Sequence, residues 1–190
     1  MPNWFNAEMT ITGSEENMKP IYEWAKSFDV ETDNDIEEKS FNRLVPLPTK
    51  DGEWDWDIAN KYWRSKWGVA IVRQVIVDKT EVYVCFDSAW SSPVGLFYQL
   101  EKKYDVKVES QGSEQEGCWH IVLYENGKYK SVDYDLDGIK EYANLDDGVS
   151  DDDDEFDSFE YDDFICDYVQ WFICKEKDDK DSWEDYDPTQ

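Results

Sequence analysis

The sequence predicts an α+β domain of the ferredoxin-like split βαβ type, an antiparallel sheet with helices on one face. It adds an inserted helix after the first helix and an acidic helical segment near the C-terminal end. Three observations lead there. Strand-like and helix-like runs follow one another as β-α-β-β-α-β up to about residue 135. A stretch at about 30–67 interrupts that order with prolines, a glycine and one further helical run. Aromatic residues make up 16% of the 190 residues, enough amphipathic bulk for a packed core despite a net charge of -27.

"WFNAEMTITG" alternates and closes on Gly13, the pattern of a first strand. In "SEENMKPIYEWAKSF" Ser14 is the expected N-cap, with Glu15 and Glu16 where the helix dipole favours acids. Asn17 stands where a capping box needs Glu or Gln, and Pro20 is tolerated only near a helix start, so a start later than Ser14 is expected. "FNRLVPLPTKDGEW" cannot hold a regular element for long. "WDWDIANKYWRSKWG" spaces Trp56, Ile58, Ala59, Tyr62, Trp63 and Trp67 helically, with Gly68 as the expected stop. "VAIVRQVIVD" and "EVYVCFDSAW", parted by "KT", predict an antiparallel hairpin. "SPVGLFYQLEKKY" pairs Ser92 as N-cap with Pro93 at the first helical position and carries Val94, Leu96, Phe97 and Leu100 at helical spacing. "DVKVES" and "CWHIVLYENGKYKSVDYD" supply the remaining strands, the latter folded at Asn126-Gly127. "GIKEYANL" reads as a short helix. The domain organisation is therefore 1–145 for the sheet domain, 146–175 for an acidic, aromatic-rich helical segment and 176–190 for an acidic tail, expected to be loose.

In that helical segment Phe164, Ile165, Tyr168, Val169 and Phe172 form a narrow apolar stripe. Asp163 and Asp167 lie one turn apart, and such like-charge pairs weaken a lone helix, so the stripe must dock on the domain, a partner or a second copy. That last option leaves a homodimer open.

Forty-six acidic residues against nineteen basic ones repel nucleic acid and anionic membranes and attract basic partners. The start carries no basic region followed by an apolar run, and no stretch reaches membrane-spanning length, so a cytoplasmic protein with reduced thiols is expected. Cys85 and Cys118 lie in strand-like runs as expected core residues. Cys166 and Cys174 are eight apart, about two helical turns. The spacings form no zinc pattern, and no cofactor is expected.

"MPNW" at the start, "FNRLVPLP" at 41–48, "KWG" at 66–68, "FDSAWSSP" at 86–93 and "YENGK" at 124–128 resemble the Api92-like family, small phage- and plasmid-encoded proteins with a ferredoxin-like domain. The likeness spans about residues 1–135. Phe5 stands where that family has Cys and Ala7 where it has Asn, and the family's Thr-Lys-Trp-Asp run after Gly68 is lacking. The resemblance implies the fold and a mobile-element origin, and it implies no catalytic residue.

Candidate chemistry is sparse. Cys118 and His120 share one side of a strand, as a nucleophile and base would, but a packed or half-exposed strand histidine is the expectation. "DYDLDG" (133–138) opens like a calcium loop, but Asn144 occupies the twelfth position, where a bidentate Glu is needed, so no metal site is assigned. At "FDSAWSSP" a pocket of Trp90, Ser88, Ser91 and Ser92 is weighed against Trp90 packing over the turn while Ser92 caps the helix, and the second is expected.

The expectation for function is therefore a non-enzymatic, phage- or plasmid-type inhibitor acting as an acidic DNA mimic. It would block the basic groove of a nucleic-acid-binding host protein, such as a defence nuclease, a restriction or CRISPR effector, or a repair or transcription protein. The surface expected to carry this is Asp151, Asp152, Asp153, Asp154, Glu155, Asp157, Glu160, Asp162, Asp163 and Asp167. The alternatives are a small acidic interaction module whose charge serves solubility, and a calcium- or ligand-binding domain.

Overall fold

A computed structural model describes residues 4–27, 41–49, 55–65, 69–114, 119–134 and 173–188. Seven strands form one antiparallel sheet: β1 (Trp4–Thr12), β2 (Ala70–Ile76), β3 (Glu81–Ala89), β4 (Lys107–Glu114), β5 (Trp119–Glu125), β6 (Lys128–Tyr134) and β7 (Glu184–Asp185). Their order is β2-β3-β1-β4-β5-β6-β7. Helices α1 (Glu15–Lys26), α2 (Trp56–Trp63) and α3 (Val94–Tyr104) pack with them. The class is α+β.

Register explains the core. Phe5, Ala7, Met9 and Ile11 of β1 stand opposite Ser88, Phe86, Val84 and Val82 of β3, so one pleat face carries both apolar rows. Those rows pack with Met18, Ile21, Trp24 and Ala25 of α1, Ala59 and Trp63 of α2, and Leu96, Phe97 and Leu100 of α3. All three helices thus share one face of the sheet. An aromatic chain crosses the layer, Trp24 to Phe41 at 4.9 Å between centroids, then Phe86 at 6.5 Å, Phe97 at 5.9 Å and Tyr124 at 5.2 Å. Phe41 comes from the inserted stretch. A 3₁₀ turn, Phe41–Arg43, buries it with Leu44, Val45 and Leu47, and Lys103 Nζ and Tyr104 Oη both donate to the Leu44 carbonyl.

Local chemistry sets the boundaries. The Asn17 amide donates to Ser14 Oγ at 3.2 Å, and α1 begins at Glu15 with Pro20 inside it. The later start that Pro20 predicted is corrected: the cap and the buried face outweigh one missing hydrogen bond. The Ile58 amide donates to Asp55 Oδ1 at 2.9 Å, capping α2. That helix ends before Gly68, because Arg64 takes the left-handed cap itself at φ 60°. Trp56 and Tyr62, two of its helically spaced apolar residues, are exposed, since eight residues give room for one narrow seam of Ala59 and Trp63. Asn126 (φ 51°) and Gly127 (φ 80°) both take positive φ in the two-residue β5–β6 turn, as a tight hairpin with right-handed twist requires. Cys85, expected in the core, falls on the opposite face of β3, where its thiol contacts Tyr83 Oη at 3.3 Å.

The expected loose end is corrected most. Residues 173–178 are helical, a 3₁₀ turn spans Lys180–Ser182, and β7 pairs Glu184 and Asp185 with Tyr129 and Lys128. On the way the chain crosses the second face of the sheet, where Ile121, Leu123, Ile173 and Trp183 are all buried. Lys130 pairs there with Glu176 and with Asp179, Lys180 pairs with Glu125, and the Lys180 ammonium lies 4.0 Å from the Trp183 ring centroid. The chain then rounds the β6 edge, donates from the Tyr186 amide to the Gly127 carbonyl at 2.8 Å, and buries Tyr186 in the helix-side core. Aromatic anchors hold what charge alone would release.

Candidate functional site

All ten acidic residues expected to contact a partner, Asp151 to Asp167, lie outside the described residues, as do Cys118, Cys166, Asp135 to Gly138, the apolar stripe 164–172 and the short helix expected at 138–145. What the structure does place is the chain on either side of them. Tyr134 ends β6, and from Ile173 onward the chain is seated on the sheet. Residues 135–172 hold 15 acidic residues and one basic residue, Lys140. The described residues hold 22 acidic and 15 basic ones. Acidic charge is therefore denser in 135–172 than in the described residues, and this stretch is joined at both ends to one folded sheet rather than hanging from one of them.

A second constellation lies where β3 runs into α3. Trp90 follows the strand at φ 68°, a left-handed conformation unusual for a bulky residue. It is 47% exposed, so about half of its surface is covered. Ser92 is buried, but Pro93 occupies the N-cap and no side chain caps the helix. The Ser91 amide is turned back onto the Ala89 carbonyl at 2.8 Å, and Ser88 Oγ donates to the Ser91 carbonyl at 2.7 Å. These bonds hold Ser91 beyond the end of the sheet, its hydroxyl 3.3 Å from His120 Nε2.

His120 arrives from β5. Its direct cross-strand neighbour on β6 is Asp133, and His120 Nδ1 lies 2.5 Å from Asp133 Oδ1. Phe5 meets the imidazole edge-on at 6.1 Å, which limits its rotation from the core side. The half-buried strand histidine was expected. Its two partners were not, because Ser91 and Asp133 lie 29 and 13 residues away, Asp133 brought across by β-register and Ser91 by the turn after β3. A cavity of about 360 Å³ opens beside Ser91, with Arg64, Ser92, Tyr129, Glu184 and Asp187 among its walls. Burial, together with nearby Glu184, raises the Tyr129 phenol above its usual range, so it stays a neutral hydrogen-bonding group there.

The second face carries one further polar cluster. Tyr83 Oη and Gln111 Nε2 both donate to the Glu8 carboxylate, and burial with that carboxylate raises the Tyr83 phenol. This network is satisfied internally and borders a cavity of only about 80 Å³. Among the described residues no group of His, Cys, Asp and Glu is arranged to hold a metal ion, and no helix is long and apolar enough to cross a membrane. Comparison with protein-family models, with curated proteins and with solved structures returns no match.

Proposed function

We propose that the chain is an inhibitor of phage or plasmid type whose inhibition is non-enzymatic, working in the host cytoplasm as an acidic DNA mimic that blocks a basic nucleic-acid-binding host protein. The observation that carries the reading is the segregation of charge: 15 acidic residues against one basic within 135–172, held between β6 and the seated C-terminal chain. Solubility is served by charge spread evenly over a surface, whereas mimicry of a polyanion needs it dense. Tethering at both ends lowers the ordering cost that a free acidic tail meets on binding. The proposed contacts are Asp151, Asp152, Asp153, Asp154, Glu155, Asp157, Glu160, Asp162, Asp163 and Asp167. The order β2-β3-β1-β4, antiparallel throughout, with α1 following β1 and α3 following β3, supports a ferredoxin-like reading of the scaffold and with it the Api92-like resemblance.

The test is affinity capture from host lysate, followed by elution with double-stranded DNA and with salt. A nucleic-acid-binding protein released by both, and not captured when Asp151 to Glu155 are replaced by Asn and Gln, supports the proposal. Capture that ignores salt, or that survives the neutralised segment, rejects it, because paired charges must be screened.

A further inference from the structure

We propose that Ser91, His120 and Asp133 form a nucleophilic site that cleaves short acyl esters carrying no negative charge, entered through the cavity beside Ser91. Three independent features meet there. The first is the relay itself, Ser91 Oγ to His120 Nε2 at 3.3 Å and His120 Nδ1 to Asp133 Oδ1 at 2.5 Å, the connectivity by which a carboxylate orients an imidazole and the imidazole takes a hydroxyl proton. The second is the backbone: a strand-to-helix turn containing a positive-φ residue, which lifts the following hydroxyl clear of the sheet. Here the positive φ falls on Trp90, one residue before the serine. The third is space. The cavity of about 360 Å³ reaches Ser91 and is of a size that admits a small ligand.

Its walls define the substrate. Glu184, Asp185 and Asp187 repel anionic esters, while Arg64 brings a positive charge toward which a developing oxyanion is stabilised. Asp133 is 79% exposed, so it orients His120 more weakly than a buried carboxylate does, which favours esters over amides, whose leaving groups demand more. In the first step the Ser91 Oγ–H bond breaks, its proton passes to His120 Nε2, and Oγ bonds to the ester carbonyl carbon. The carbon–alkoxide bond then breaks, the alcohol leaving with the proton from His120. Water, deprotonated by the same nitrogen, attacks the acyl-serine and releases the acid and the free hydroxyl. None of this involves residues 135–172, so the site stands or falls separately from the proposed mimicry.

The test uses the full chain with a fluorophosphonate probe and with p-nitrophenyl acetate, read by intact mass, peptide mapping and p-nitrophenol release. One adduct is expected, on the Ser91 peptide. The S91A variant abolishes it, and H120Q slows both readouts by about 100-fold, the scale of a lost general base. D133N causes a smaller loss, and neutralising Asp151 to Glu155 changes neither readout. Urea midpoints of the variants verify folding. Absence of an adduct on the folded wild-type chain overturns the proposal whatever the variants do, and so does an adduct whose rate is unchanged in H120Q.

Discussion

Glu101 brings a carboxylate from α3 into the interface between helix and sheet. It accepts from the Val108 amide at 3.1 Å and from Tyr124 Oη at 2.7 Å. Burial pushes its carboxyl above the ordinary 4.5, and those two hydrogen bonds only partly offset this. The folded chain therefore binds this proton more tightly than the unfolded chain. Its contribution to stability is present below the unfolded value, about pH 4, and is lost as pH rises through the raised folded value. The substitution Glu101→Gln keeps the shape without the titration, so the stability of wild type relative to E101Q should fall between pH 4 and pH 7, measured by urea unfolding at both. A difference that does not change with pH would refute the buried-carboxylate account. Other residues were readable in advance. Ser14 announced a cap by type and position. Ser92 looked equally good, but its hydroxyl is buried and its neighbour Pro93 holds the cap position, and nothing local distinguishes the two serines.

At the scale of elements, β7 and the residues before it act as a strap over the β6 edge. Lys130 keeps 12% of its side-chain exposure. Burial pushes its ammonium pKa down, but pairing with Glu176 and Asp179 outweighs that and leaves it raised. Tyr186 packs against Tyr98 at 5.0 Å and Tyr129 at 6.3 Å. Y186A should cost roughly 3 kcal/mol or more, by the measure of other buried aromatic deletions, read as a lower urea midpoint. Removing residues 173–190 uncovers Ile121, Leu123 and the β6 edge, and self-association in sedimentation is the expected result. Gly95 lies where α3 packs tightly on α2: a Cβ there would stand 2.4 Å from the Tyr62 carbonyl oxygen. G95A is expected at or above the top of the overpacking range, about 3 kcal/mol, in the same assay. The strap was not legible because its acidic spacing resembles a solvated tail. Trp183 and Tyr186 were the available signal, single aromatics too few to show a period.

Across the whole molecule, a net charge of -27 sets folding and binding against each other. Raising salt from about 0.1 M to about 1 M shortens the Debye length from ~10 Å to ~3 Å. Self-repulsion is screened, so Tm in a calorimetric scan should rise by several degrees, while the proposed complex with a basic partner weakens. A Tm that falls with salt would mean that net attraction, not repulsion, dominates the folded surface. The sequence by itself determined the α+β class, the helices α1, α2 and α3, the hairpins and the excess of charge, because each is written in neighbouring residues through periodicity, caps and turns. Only the tertiary structure decided that Phe41 joins the aromatic core, that the C-terminal chain crosses the second face, and that Ser91, His120 and Asp133 meet. Those contacts join residues far apart in the chain, and strand register and packing, which no local pattern encodes, bring them within reach.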